Sequence, residues 1–257
     1  MKKIACTVMG MLLCAGLISG CGTSLEAEHS VVYVDKKGEV VSLDVEEMDQ
    51  EYYDETELET FVDEAVKEYT DANGKGSVKV DSLAVENGIA KLQMQYKTAE
   101  DYTKFNGIEL YQGKIVEALA AGYIFDGDFA RVEDGAVVGA ANKQEIYAEE
   151  DMKVVIIKAN IDVKIDGTIC YVSCDNVALT GAGSVSIREG YYIDNGSGTA
   201  DNVTVDEEAV SADATESATT DEEATGNEET AGTVAEKETV IDDGSFETEV
   251  YTFIVYK

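Results

Sequence analysis

The chain of 257 residues contains no proline, no tryptophan and a single histidine, His29. Average usage would supply roughly a dozen prolines. The lone histidine has the larger consequence. A Ser-His-Asp or Cys-His arrangement, or any zinc site with a histidine ligand, would have to rest on it. His29 lies in a stretch that reads as a tether, and a tether does not hold a general base in productive geometry. Basic residues are scarce as well, 19 against 53 acids, for a formal net charge of −34. Nucleic-acid binding needs clustered Lys and Arg. Taken as a whole the chain is repelled by phosphate backbones and anionic headgroups, so cationic partners are favoured. No cofactor loop is present, since Gly181-Ala182-Gly183 lacks the third glycine of a dinucleotide motif and sits between strands. The nearest match to a calcium loop, Asp162 to Ser173, has Gly167 at the sixth place. It carries Lys164 at the third, however, and Ser173 where a bidentate Glu belongs. Catalytic, cofactor-binding and metal-binding residues are therefore assigned to none.

What is present begins at the N-terminus. Lys2 and Lys3 precede an uncharged apolar run, Ile4 to Ile18, which has the form of an export signal and is short for a membrane span of about 20 residues. It ends in Leu17-Ile18-Ser19-Gly20-Cys21. This ending resembles the lipobox of bacterial lipoproteins. The resemblance covers residues 1–21 and implies that residues 1–20 are a signal peptide removed by a dedicated peptidase. It also implies that Cys21 carries lipid and that the mature protein sits on the extracytoplasmic face of the cell membrane. One acyl chain holds a protein only marginally, and the lipobox chemistry supplies at least two.

Residues 21–30 read as a tether. Val31–Val34 and Val40–Leu43 are β-branched runs joined by Asp35-Lys36-Lys37-Gly38, a hairpin with the glycine in the left-handed position. From Asp54 to about Tyr69, Leu58, Phe61, Val62, Ala65, Val66 and Tyr69 recur at spacings of three and four, which predicts a long amphipathic helix with an acidic outer face. Asp54 and Glu57 have the form of a capping box, and Asn73-Gly74 a stop. Asn87-Gly88 between alternating segments predicts a hairpin with Val85 opposite Ala90 and Leu83 opposite Leu92. Short helices are expected over Glu100–Phe105 and Lys114–Ala121, the latter ending at Gly122. The fold expected for residues 31–122 is α+β, a hairpin-rich antiparallel sheet with one long helix and short ones.

Beyond Gly122 come strands: Phe129–Val132, Val137–Val138, Val154–Ile157, Ile161–Ile165, Thr168–Val172 and Val185–Ile187. Asp166-Gly167 predicts a hairpin with Cys170 opposite Val163. If Thr168–Cys174 is one strand, Cys170 and Cys174 are too far apart to bridge, about 13 Å against a limit near 7 Å, and both face the core as free thiols. Residues 194–244 are Ala, Thr, Glu, Asp and Gly with Lys237 the only base, the composition of a disordered acidic insertion. Glu249–Tyr256 is again strand-like, so 123–193 with 245–257 forms a β-rich part.

Two functions fit. The favoured one is a non-catalytic binding or structural lipoprotein, recognising an envelope protein or glycan. The other is a carboxylate-based enzyme acting on glycan, which needs no histidine, only two carboxylates about 5 to 10 Å apart in an aromatic-lined cleft. Fourteen tyrosines, Tyr52-Tyr53 and Tyr191-Tyr192 among them, can stack on sugars or pack half-buried. The lipobox predicts that Cys21→Ser leaves an unprocessed precursor and abolishes metabolic labelling with a fatty-acid analogue. Label persisting on that variant would contradict the lipoprotein reading.

Overall fold

The computed structural model describes residues 24–48, 50, 53–196 and 250–257. The lipobox, Cys21, Tyr52 and all of the acidic stretch beyond residue 196 lie outside the described residues. Two expected hairpins form, the second in its expected register. Strand β1 (Val31–Val34) pairs antiparallel with β2 (Val40–Glu47), Val34 opposite Val40, across a turn in which Gly38 has φ 90°. Further on, β3 (Val78–Glu86) and β4 (Ile89–Tyr96) set Val85 against Ala90 and Leu83 against Leu92 around Asn87-Gly88, both left-handed. Between these hairpins lies α1 (Glu55–Asn73), where the Asp54 side chain accepts from the Glu57 N–H at 3.0 Å and Gly74 ends the helix at φ 102°. Its expected apolar stripe is not uniformly buried. Only Val62 is fully covered, Val66 and Tyr69 are partly so, and Phe61 is 70% exposed. The helix packs on β3, an edge strand, so its footing is narrower than the stripe.

The remaining elements are α2 (Ala99–Asn106), β5 (Leu110–Lys114), α3 (Ile115–Ala120), β6 (Phe129–Glu133), β7 (Ala136–Ala141), α4 (Lys143–Ala148), β8 (Lys153–Ile157), β9 (Asp162–Ile165), β10 (Ile169–Ser173), β11 (Asp175–Gly181), β12 (Ser184–Tyr192) and β13 (Thr252–Tyr256). They complete a mixed α+β fold with two sheets. One runs β11-β12-β9-β1-β2-β4-β3, antiparallel except for the parallel pair β1/β9. The other runs β5-β8-β13-β10-β6-β7 and is antiparallel throughout. A shared core joins Val32, Val163 and Val185 of the first sheet to Val155, Val172 and Ile254 of the second. The far face of the six-stranded sheet buries Val154, Ile156, Phe253 and Val255 under Ile115 of α3 and Ile146 of α4.

The sheets interleave the sequence. Strands β9, β11 and β12 lie with β1 in the seven-stranded sheet, while β5 pairs with β8 in the six-stranded one, so the expected division at residue 122 is not a division between sheets. Asp166-Gly167 closes no hairpin. Strand β9 pairs with β1 and β12, β10 pairs with β13 and β6, and Cys170 therefore does not oppose Val163. The chain crosses there from one sheet to the other, with Ile165 and Ile169 both in the shared core. Glycine is needed at 167 for room, because a Cβ would lie 2.6 Å from the Tyr256 ring and 2.8 Å from the Lys257 carbonyl oxygen. A bulge between Ile169 and Tyr171 also breaks the alternation. Cys174 is buried as expected but Cys170 only partly, and both are free thiols.

The supposed tether is bonded to the sheet from Leu25 onward. The Leu25 N–H donates to Gln93 Oε1 at 2.8 Å, Lys91 Nζ donates to the Ala27 carbonyl at 2.9 Å, and the Val45 N–H donates to Ser30 Oγ at 2.9 Å. These contacts cross β2 and β4 on the face away from the shared core, where Val31, Leu43 and Gln93 are buried.

Burial separates two phenylalanines. Phe253→Ala removes a ring packed against Phe125 and Phe129 and is expected to cost about 3 to 5 kcal/mol, whereas Phe61→Ala should stay within about 0.5 kcal/mol. Equilibrium urea unfolding of the two variants measures both.

Candidate functional site

A cleft of about 790 Å³ opens between the β1–β2 turn, α2 and β5, lined by Lys37, Lys97, Glu100, Glu109, Tyr111 and Tyr123 among others. Two left-handed glycines bring its aromatic wall together. Gly107, at φ 74°, ends α2 and turns the chain toward Glu109 and β5, which carries Tyr111. Gly122, at φ 96°, follows α3 and sets Tyr123 back against it, the Tyr123 N–H donating to the Ala118 carbonyl at 3.1 Å. The rings of Tyr111 and Tyr123 then lie 4.9 Å apart at 49°, and Tyr251 meets Tyr123 edge-on at 5.9 Å.

Glu109 is fixed by two phenols. Tyr123 Oη donates to its Oε1 at 3.2 Å and Tyr251 Oη to its Oε2 at 2.7 Å. Burial, with the carboxylate adding to it, pushes the Tyr123 hydroxyl up to about 12. The hydrogen bond to Glu109, then burial, raises that of Tyr251. Both phenols therefore stay protonated as donors, leaving an oriented acceptor beside two aromatic faces. Gln112 is held at the cleft wall by donating from Nε2 to Tyr256 Oη at 3.2 Å. The arrangement suits a polar ligand with an apolar face, stacked on the rings and hydrogen-bonded at its edge.

Two other carboxylates call for comparison. Asp44 and Glu46 share one face of β2, about 6.6 Å apart along the strand. Ser42 Oγ donates to Asp44 Oδ2 at 3.0 Å, and burial, with Glu46 adding, pushes the Asp44 carboxyl up to about 6; Glu46 is raised by burial. They do not share a cleft. Glu46 lines an open groove of about 480 Å³ with Tyr53, Leu58 and Phe61, while Asp44 acts on Tyr96 and Tyr102 in the interior.

Of the residues singled out from sequence, Cys21 and Tyr52 lie outside the described residues. Tyr53, Tyr191 and Tyr192 are exposed and away from the cleft, and His29 is exposed on the N-terminal segment. Among the described residues no three His, Cys, Asp or Glu are grouped to hold a metal ion, and no helix is long and apolar enough to cross a membrane. Sequence reasoning did not find Glu109, Tyr111, Tyr123 or Tyr251. No family model, curated protein or solved structure matches this chain.

Asp44 makes stability depend on pH. Its folded-state value is raised, so the folded protein binds this proton more tightly than the unfolded chain, and the contribution present below about pH 4 is lost as pH rises through about 6. Asp44→Asn should remove that slope and stabilise the protein by about 1 to 3 kcal/mol at pH 7.5, read from urea unfolding at pH 4.5 and 7.5. An unchanged slope would contradict the assignment.

Proposed function

We propose that the protein is a lipid-anchored, non-catalytic binding module on the extracytoplasmic face of the cell membrane. The anchor is the lipid expected on Cys21, and the ligand, an envelope protein or glycan, enters the tyrosine cleft. One observation carries this reading: both oxygens of Glu109 accept from phenols, one of them the cleft residue Tyr123, so the carboxylate is built as a fixed acceptor beside two rings. The excess of acid elsewhere favours partners that are cationic or offer many hydrogen-bond donors.

A second reading, a carboxylate-based enzyme acting on glycan, is favoured by the presence of Glu100 and Glu109 in one tyrosine-lined cleft. Such chemistry needs one carboxyl to supply a proton. Glu100 pairs with Lys104 at 2.6 Å and Glu109 is surrounded by donors, an arrangement that suits binding better.

Capture of envelope proteins and cell-wall glycan by the mature protein tests the reading. The double variant Tyr111→Ala, Tyr123→Ala should lose the specific capture by about tenfold or more, the scale of removing base- or sugar-sized stacking contacts worth about 1 to 3 kcal/mol. Capture unchanged in the variant would contradict the cleft assignment, and turnover of glycan abolished by Glu109→Gln would favour the enzyme.

A further inference from the structure

We infer that the outer face of the seven-stranded sheet is the side the anchored protein lays against the bilayer, an inference that rests on the lipid-anchor reading. In a chain with 19 bases against 53 acids, this face carries several of the bases. Val78, Met94, Tyr96, Val163 and Ile187 point into the shared core. Strand alternation therefore turns Lys79, Lys91, Lys97, Lys164 and Arg188 the other way. Lys37, Lys79 and Lys97 meet Tyr33 and Gln95 around a shallow hollow of about 320 Å³ on the same face. Acids are present too. Asp81 pairs with Lys79 and Asp162 with Arg188, Asp35 and Glu39 border the hollow, alternation turns Glu47 and Glu86 the same way, and Glu26 and Glu28 lie on the segment that crosses the face, so its excess of acid is small where the chain as a whole is strongly negative.

The N-terminal segment leads to this face. Leu25 and Ala27 are bonded to Gln93 and Lys91 upon it, and Cys21 is only four residues before Leu25. Four extended residues span at most about 14 Å. A lipid on Cys21 therefore holds the bilayer within that distance of Leu25, which lies on this face, and cannot reach past two stacked sheets to the far side of the six-stranded one. Anionic headgroups thus meet a face on which lysine and arginine offset most of the acid. Lys37 and Lys97 belong to both this face and the rim of the tyrosine cleft, which places the ligand site beside the membrane surface.

Amine footprinting of the lipidated protein on vesicles of phosphatidylcholine and phosphatidylglycerol tests this. Acetylation at Lys79, Lys91, Lys97 and Lys164 should be at least about threefold slower on vesicles than after the vesicles are dissolved in detergent, with Lys67, Lys104 and Lys143 unchanged. Protein that floats with the vesicles but shows uniform rates, or protection of Lys67 and Lys104 instead, overturns the inference and leaves the anchor intact. Protein that does not float overturns the anchor, and this inference with it.

Discussion

Five consecutive buried residues at the end of the chain, Thr252–Tyr256, occupy the middle of the six-stranded sheet and hydrogen-bond to a strand on either side. Their alternation feeds two cores at once, Ile254 and Tyr256 into the layer shared by the sheets, Phe253 and Val255 into the layer under α3 and α4. Without β13, the pair β5-β8 and the three strands β10-β6-β7 have no common neighbour. The strand also sets the site, because Tyr251 at its entry holds Glu109 and Tyr256 holds Gln112. Closing the long stretch that separates it from β12 costs little, since each doubling of loop length adds only about 0.6 kcal/mol.

Local signals were legible in the sequence wherever turn chemistry and alternation agreed. Asn87-Gly88 fixed a register residue by residue, the Gly38 turn marked the hairpin of β1 and β2, and Asp54 and Gly74 bounded α1. Asp166-Gly167 shows the limit of such signals. The same dipeptide that closes a hairpin also allows a close crossing between sheets, and the choice was made by partners far away, β1 for one strand and β13 for the other. Strand β5 escaped notice because its Gly113 and polar Gln112 weaken the pattern. The stripe of α1 was legible as a period, but how much of it would be covered depended on the edge strand beneath it.

The cleft was not legible at all. Glu109, Tyr111, Tyr123 and Tyr251 have no characteristic spacing, and the last comes from across the acidic stretch, so only the folded sheet unites them. The same holds for charge. Composition predicts repulsion from anionic surfaces as a whole, whereas strand alternation turns Lys79, Lys91, Lys97 and Lys164 to one face.

Native-state hydrogen exchange tests the place of β13 most directly. The account predicts that the amides of Phe253, Ile254 and Val255 exchange among the slowest, together with those of Val154, Val155 and Ile156, through global unfolding. Exchange of β13 well ahead of β8, with the rest of the sheet still protected, would contradict it.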